Sequence, residues 1–170
     1  PGLINLISTI FCALPEGLAL FLGRCLGRFW YYVLPIRMGV ARRNIQRCLG
    51  QSLSAPEISR LLREVCENQA MFICEGLRLP LMNQQAALEK MNNRQGWHHL
   101  EEAVERGKGV LFVTAHMGSY ELFTGCLALA GIPTHVVYRD ISMKSGSEFW
   151  MRVRTGMELK PLPPVRRAPK

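Results

Sequence analysis

Two side chains capable of acid–base chemistry stand five positions apart in Ala115-His116-Met117-Gly118-Ser119-Tyr120-Glu121. A neutral imidazole accepts a proton from a hydroxyl best when its other ring nitrogen is fixed in one tautomer, and a carboxylate bonded to that nitrogen fixes it. His116 with Glu121 reads as a general base and its orienting partner, the logic of a triad without a protein nucleophile. Gly118 between them permits the tight bend that such a pairing needs. A lone His–Glu pair also arises often by chance, and Glu121 equally fits a helix N-terminal carboxylate favoured by the helix dipole. The block is not the zinc motif H-E-x-x-H, because the glutamate does not follow the histidine. Gly107-Lys108-Gly109 is not a phosphate loop either, since it precedes a strand pattern instead of following one.

The elements around this block predict where the pair sits. Val110-Leu111-Phe112-Val113-Thr114 is a short β-rich run of the kind expected of a strand buried on both faces. Tyr120 to Ala130 is helical in pattern and is closed by Gly131 and Pro133. His135-Val136-Val137-Tyr138 is a second β-rich run, Ser147 to Arg154 a further helix, and Glu158 to Leu162 a third strand. Strand, helix, strand, helix, strand at this spacing predicts βαβ units of a parallel sheet, with strands near 110–114 and 134–138 paired. In such sheets ligands bind beyond the carboxyl ends of the strands, which is where His116 falls.

Upstream, the pattern is helical. Ser54-Ala55-Pro56-Glu57 is a capping box with proline in the first turn. It opens a long helix through Ile58, Leu61, Leu62, Val65, Phe72 and Ile73 that Gly76 and Pro80 stop. Shorter helices are predicted over Gln84–Met91 and Trp97–Glu105. Residues 3–35 are strongly apolar, interrupted at Pro15 and Glu16. The first apolar run, Leu3 to Leu14, would span ~18 Å as a helix, short of the ~30 Å hydrocarbon core. No cationic leader precedes the apolar run and no clear small-residue cleavage site follows it, so a signal peptide is not expected.

Charge narrows the class of partner. The formal net charge is +8 over 170 residues, and the excess sits at the two ends. Residues 1–50 carry Arg24, Arg28, Arg37, Arg42, Arg43 and Arg47 against Glu16 alone. Nucleic-acid binders usually interleave basic residues with exposed polar and aromatic ones, and no such signature is present. Basic charge mixed with apolar sequence, beside Phe29-Trp30-Tyr31-Tyr32, points to helices lying in an anionic membrane interface. Ordinary buried core helices are the competing reading. None of the six cysteines has zinc-ligand spacing, and most lie in apolar helical patterns where a thiol behaves as a small hydrophobe; a reducing compartment follows.

The stretch Gly107-Lys108-Gly109-Val110-Leu111-Phe112-Val113-Thr114-Ala115-His116-Met117-Gly118-Ser119-Tyr120-Glu121-Leu122 resembles the H-x-x-x-x-[D/E] block of the bacterial lipid A late acyltransferases. These are relatives of the wider glycerophospholipid acyltransferases. Arg42-Arg43-Asn44-Ile45, Trp97-His98-His99-Leu100 and Val136-Val137-Tyr138-Arg139 are similar to flanking segments of that family, so the resemblance covers most of residues 20–162. Tyr120 stands where the family commonly has Trp. The tail at 163–170 is basic and proline-rich, so by resemblance the chain corresponds to the N-terminal half of such an enzyme.

The resemblance implies an O-acyltransferase that moves a fatty acyl chain from acyl-carrier protein, or coenzyme A, to a hydroxyl of a lipid A precursor or related glycolipid or phospholipid. It places the chain at the cytoplasmic face of the inner membrane. His116 and Glu121 are then the catalytic pair. Arg139, at the end of the second strand, stabilises the oxyanion or binds a phosphate, with an ordinary strand-end arginine as the alternative. No metal or organic cofactor is required. Ser119 is expected to help cap the helix, His98 and His99 to face differently as surface or packing residues, and His135 to be structural. The expected fold is α/β: a membrane-associated helical segment over 1–50, a helical region over 51–106, an α/β core over 107–162 and the tail. Two rivals stay open: an inactive membrane-associated fragment, and a non-enzymatic module that binds lipid or acyl-carrier protein.

Overall fold

A computed structural model describes residues 2–92, 95–138 and 144–162. Among these, the chain forms α1 (Gly2–Ala13), α2 (Glu16–Tyr32), α3 (Met38–Leu49), α4 (Ala55–Gly76), a 3-10 turn (Leu79–Leu81), α5 (Gln84–Lys90), α6 (Trp97–Glu105), α7 (Tyr120–Leu129), β1 (His135–Val137), α8 (Lys144–Gly156) and β2 (Lys160–Leu162). The described part is mostly helical with one small parallel sheet, so the expected α/β character is present only in its last third. No helix among the described residues is long and apolar enough to cross a membrane.

The chain divides into two compact units, Leu6–Arg78 and residues 79–170 with 1–5. The boundary at residue 50 suggested by charge runs through the first unit, where α2 and α3 both pack on α4. α4 begins at the predicted capping box: the Ser54 backbone N–H donates to Glu57 Oε2 at 2.7 Å. Its buried stripe is Ile58, Leu62, Cys66, Ala70 and Cys74, one residue per turn, while Val65 and Ile73 are exposed. α2 meets that stripe with its smallest residues, Ala19, Gly23 and Gly27. A Cβ on Gly27 would lie 2.4 Å from the Glu67 Cα, and one on Gly23 would lie 2.9 Å from the Met71 Cα. The two backbones therefore approach as closely as glycine allows. Within the same unit, the buried Ser8 hydroxyl donates to the Leu77 carbonyl at 2.7 Å. Arg78 donates to the Phe11 and Leu14 carbonyls at the end of α1.

In the second unit, α5 packs on α7, and α8 packs on β2 and the 3-10 turn. β1 and β2 run parallel in register His135–Lys160, Val136–Pro161 and Val137–Leu162, with α8 in the connection. This is the expected βαβ unit, formed by the second and third predicted strands. The first predicted strand does not form. Residues 109–115 belong to no strand, and Leu111 and Val113 are 91% and 83% exposed. The strand near 134–138 pairs with 160–162 instead of 110–114. A β-rich run becomes a strand only where a neighbour takes its backbone groups and its side chains find a face to pack on. Here Phe112 has such a contact, its ring 5.4 Å from that of Phe123 on α7.

Candidate active site

His116 lies on the segment that enters α7. The Met117 N–H donates to the Ala115 carbonyl at 2.8 Å, closing a three-residue turn centred on His116. Gly118 follows with φ +58°, in the left-handed region that glycine enters without strain. Two bends in quick succession leave the imidazole exposed, and its ring centroid lies 4.6 Å from that of Tyr120. Ser119 occupies the N-cap position of α7, yet its side chain makes no capping bond; its ψ of 70° lies outside the extended geometry that aims a cap hydroxyl at the helix amides. The Ser119 carbonyl instead accepts from the Phe123 N–H at 2.9 Å.

Glu121, in the first turn of α7, is 6% exposed. Its carboxylate does not bond to His116. Both oxygens turn to Arg154 in the last turn of α8: Nε donates to Oε2 at 3.1 Å and Nη2 to Oε1. The same guanidinium stands 5.5 Å from the centroid of the half-buried Tyr138 ring. Burial pushes the Tyr120 hydroxyl above its usual range, the neighbouring Glu121 charge adds to that, and Arg154 partly offsets it. The structure thus assembles His116, Tyr120, Glu121, Arg154 and Tyr138 from the segment that enters α7, from α7 and α8, and from the residue that follows β1. Arg139 lies outside the described residues.

Arg154 is the member that sequence reasoning did not single out. The period of α8 carries no signal for it: Phe149, Val153 and Met157 form the buried stripe, and Arg152 and Arg154 both lie ~100° from Val153, so only the structure shows Arg154 half-buried and Arg152 exposed. The other histidines lie apart from this cluster. His135 starts β1 and is exposed. His98 and His99, expected to face differently, have ring centroids 3.9 Å apart; the two side chains converge in the first turn of α6 despite the ~100° between successive helical positions.

A model of the family of bacterial lipid A biosynthesis acyltransferases matches residues 3–166, nearly the whole chain. The chain belongs to that family. Neither a curated protein nor a solved structure gives a match. Family membership makes lipid A acyltransferase-type chemistry the general function, with an acyl donor and a lipid acceptor as its substrates in kind. Within this acyltransferase, the bend at His116 presents an exposed imidazole against the Tyr120 ring, one residue before the Glu121 that Arg154 holds.

Proposed function

We propose that the chain transfers a fatty acyl group from the thioester of acyl-carrier protein, or of coenzyme A, to a hydroxyl of a lipid A precursor or related glycolipid or phospholipid. The hydroxyl gives its proton to His116 as its oxygen attacks the thioester carbonyl carbon. The tetrahedral intermediate collapses, the carbon–sulfur bond breaks, and His116 returns the proton to the departing thiolate. Glu121 takes the role of counter-charge to the imidazolium from the first turn of α7, at a distance, because its carboxylate bonds to Arg154 and not to His116. Arg154 anchors that carboxylate, and Arg139 takes the role of stabilising the oxyanion or binding a phosphate. The work takes place at the cytoplasmic face of the inner membrane. Exposed Leu6 and Ile10 on α1, and Leu18, Phe21 and Phe29 on α2, support that location.

The observation that carries this reading is the exposed His116 at the head of a helix whose first turn buries a carboxylate, inside a chain of the lipid A acyltransferase family. Acyl transfer from acyl-carrier protein to a lipid A precursor tests it, with His116→Ala beside the unaltered chain. Turnover should fall by ~10²–10⁴, with acceptor binding kept. An undiminished rate in His116→Ala refutes the assignment. The bonding of Glu121 to Arg154 favours a second reading, in which the junction is structural and the chain binds lipid or carrier protein without transfer. Binding without turnover by the unaltered chain would select it.

A further inference from the structure

α2 and α4 bring three guanidinium groups to one carboxylate. Arg28 Nε donates to Glu67 Oε1 at 2.9 Å, Arg63 Nε stands 3.5 Å from the same oxygen, and Arg24 Nε lies 3.7 Å from Oε2. Glu67 is mostly buried, whereas the Arg24 and Arg28 side chains keep about half of their surface. One carboxylate cannot neutralise three arginines, so the cluster holds two positive charges in excess. Arg60 and Glu64 nearby pair with each other at 4.0 Å and leave that excess unchanged. Each guanidinium has five N–H donors; Arg63 also bonds to the Tyr32 hydroxyl, and the single shared carboxylate leaves most of the donors of Arg24 and Arg28 unused. A purely structural role needs one arginine, because further exposed pairs add only ~0–1 kcal/mol each.

The position of the cluster supplies the second half of the argument. On a helix turning ~100° per residue, Arg24 and Arg28 flank the outward face that carries Phe21, Phe29 and Tyr32. All three rings are exposed. Residual charge close to +2 beside an apolar strip matches an amphiphile whose head is a phosphomonoester of charge ~−1.5 to −2, a phosphate group of the kind that arginine forks recognise bidentately.

We propose that Arg24, Arg28 and Arg63 around Glu67 form a binding site for a phosphomonoester lipid headgroup, with the lipid's apolar chains along the exposed face of α2. The site is separate from the transfer chemistry; only its vesicle test rests on the membrane location proposed above.

The test uses the full chain and phosphatidylcholine vesicles containing either phosphatidate or phosphatidylglycerol, matched for surface potential. The unaltered chain should co-sediment about tenfold more tightly with phosphatidate, and the Arg24→Gln/Arg28→Gln pair should lose that preference. Arg43→Gln/Arg47→Gln on the exposed side of α3 should weaken both bindings equally and keep the ratio. Glu67→Gln, folded by circular dichroism, should bind phosphatidate more tightly, since the competing carboxylate charge is gone. Calorimetry with short-chain phosphatidate and with inorganic phosphate separates the sources. Short-chain phosphatidate binding without any vesicle binding upholds the site and refutes the membrane location. Equal affinity for inorganic phosphate and short-chain phosphatidate overturns the lipid assignment. Where the unaltered chain binds vesicles, no phosphatidate preference, or an unchanged preference in Arg24→Gln/Arg28→Gln, overturns the proposal, as does a failure to bind both the vesicles and short-chain phosphatidate.

Discussion

Replacing Arg154 by Met tests whether the α7–α8 junction is held by its ion pair. Glu121 and Arg154 retain only 8% and 14% of their side-chain exposure, and both carboxylate oxygens engage the guanidinium. At ~3 Å and an effective dielectric near 20, the Coulomb attraction is ~5 kcal/mol, most of which offsets the desolvation of the two charges. Methionine keeps the apolar stem and removes the charge, leaving a buried carboxylate uncompensated. That costs ~3–5 kcal/mol, a large share of the ~5–15 kcal/mol typical of a domain. Urea unfolding followed by Trp150 fluorescence on α8 should show a lower midpoint at unchanged slope. Because the cost lies in the orphaned partner, Glu121→Gln/Arg154→Met should recover at least half of the loss. A single-mutant cost below ~1 kcal/mol would mean that water solvates the carboxylate. Simple additivity in the double mutant would mean that the pair is not coupled.

The α2–α4 approach makes one substitution differ in sign along one helix. Gly27→Ala should destabilise by ~1–3 kcal/mol, since the new methyl meets the Glu67 and Cys66 backbone. Gly17→Ala, with nothing within 4 Å, should stabilise by up to ~1 kcal/mol, and thermal unfolding of the two variants checks the contrast. The Ser54 hydroxyl and then the Ser54 backbone N–H hold the Glu57 carboxyl below its ordinary value of 4.5. The sign follows: its contribution to the start of α4 is present above that value and is lost as the pH falls through the lowered one. Helicity at 222 nm in acid titration should therefore converge for the unaltered chain and Glu57→Gln, and a constant gap between them would refute the box as its source.

What could be read from the sequence was local. The Ser54–Glu57 box, the glycine and proline stops, and the apolar periods of α4 to α8 act within a few residues, so position and identity suffice to place those helices to within a turn or so. The bend at His116 was legible for the same reason, since Gly118 is the residue that takes a left-handed backbone there. The rest depended on partners distant in the chain. Val110–Thr114 has the composition of a buried strand, yet composition does not supply the neighbouring edge, and β1 pairs with β2 instead. The face that α2 turns inward is its glycine face because α4 offers backbone at that distance; hydropathy alone would have buried Phe21 and Phe29, which are exposed. Glu121 had two local partners open to it, a histidine and a helix dipole, and the tertiary structure chose a third. An arginine 33 positions away reaches its carboxylate because α8 packs beside α7's first turn, and a buried carboxylate takes the fork of charged donors that lets it stay buried.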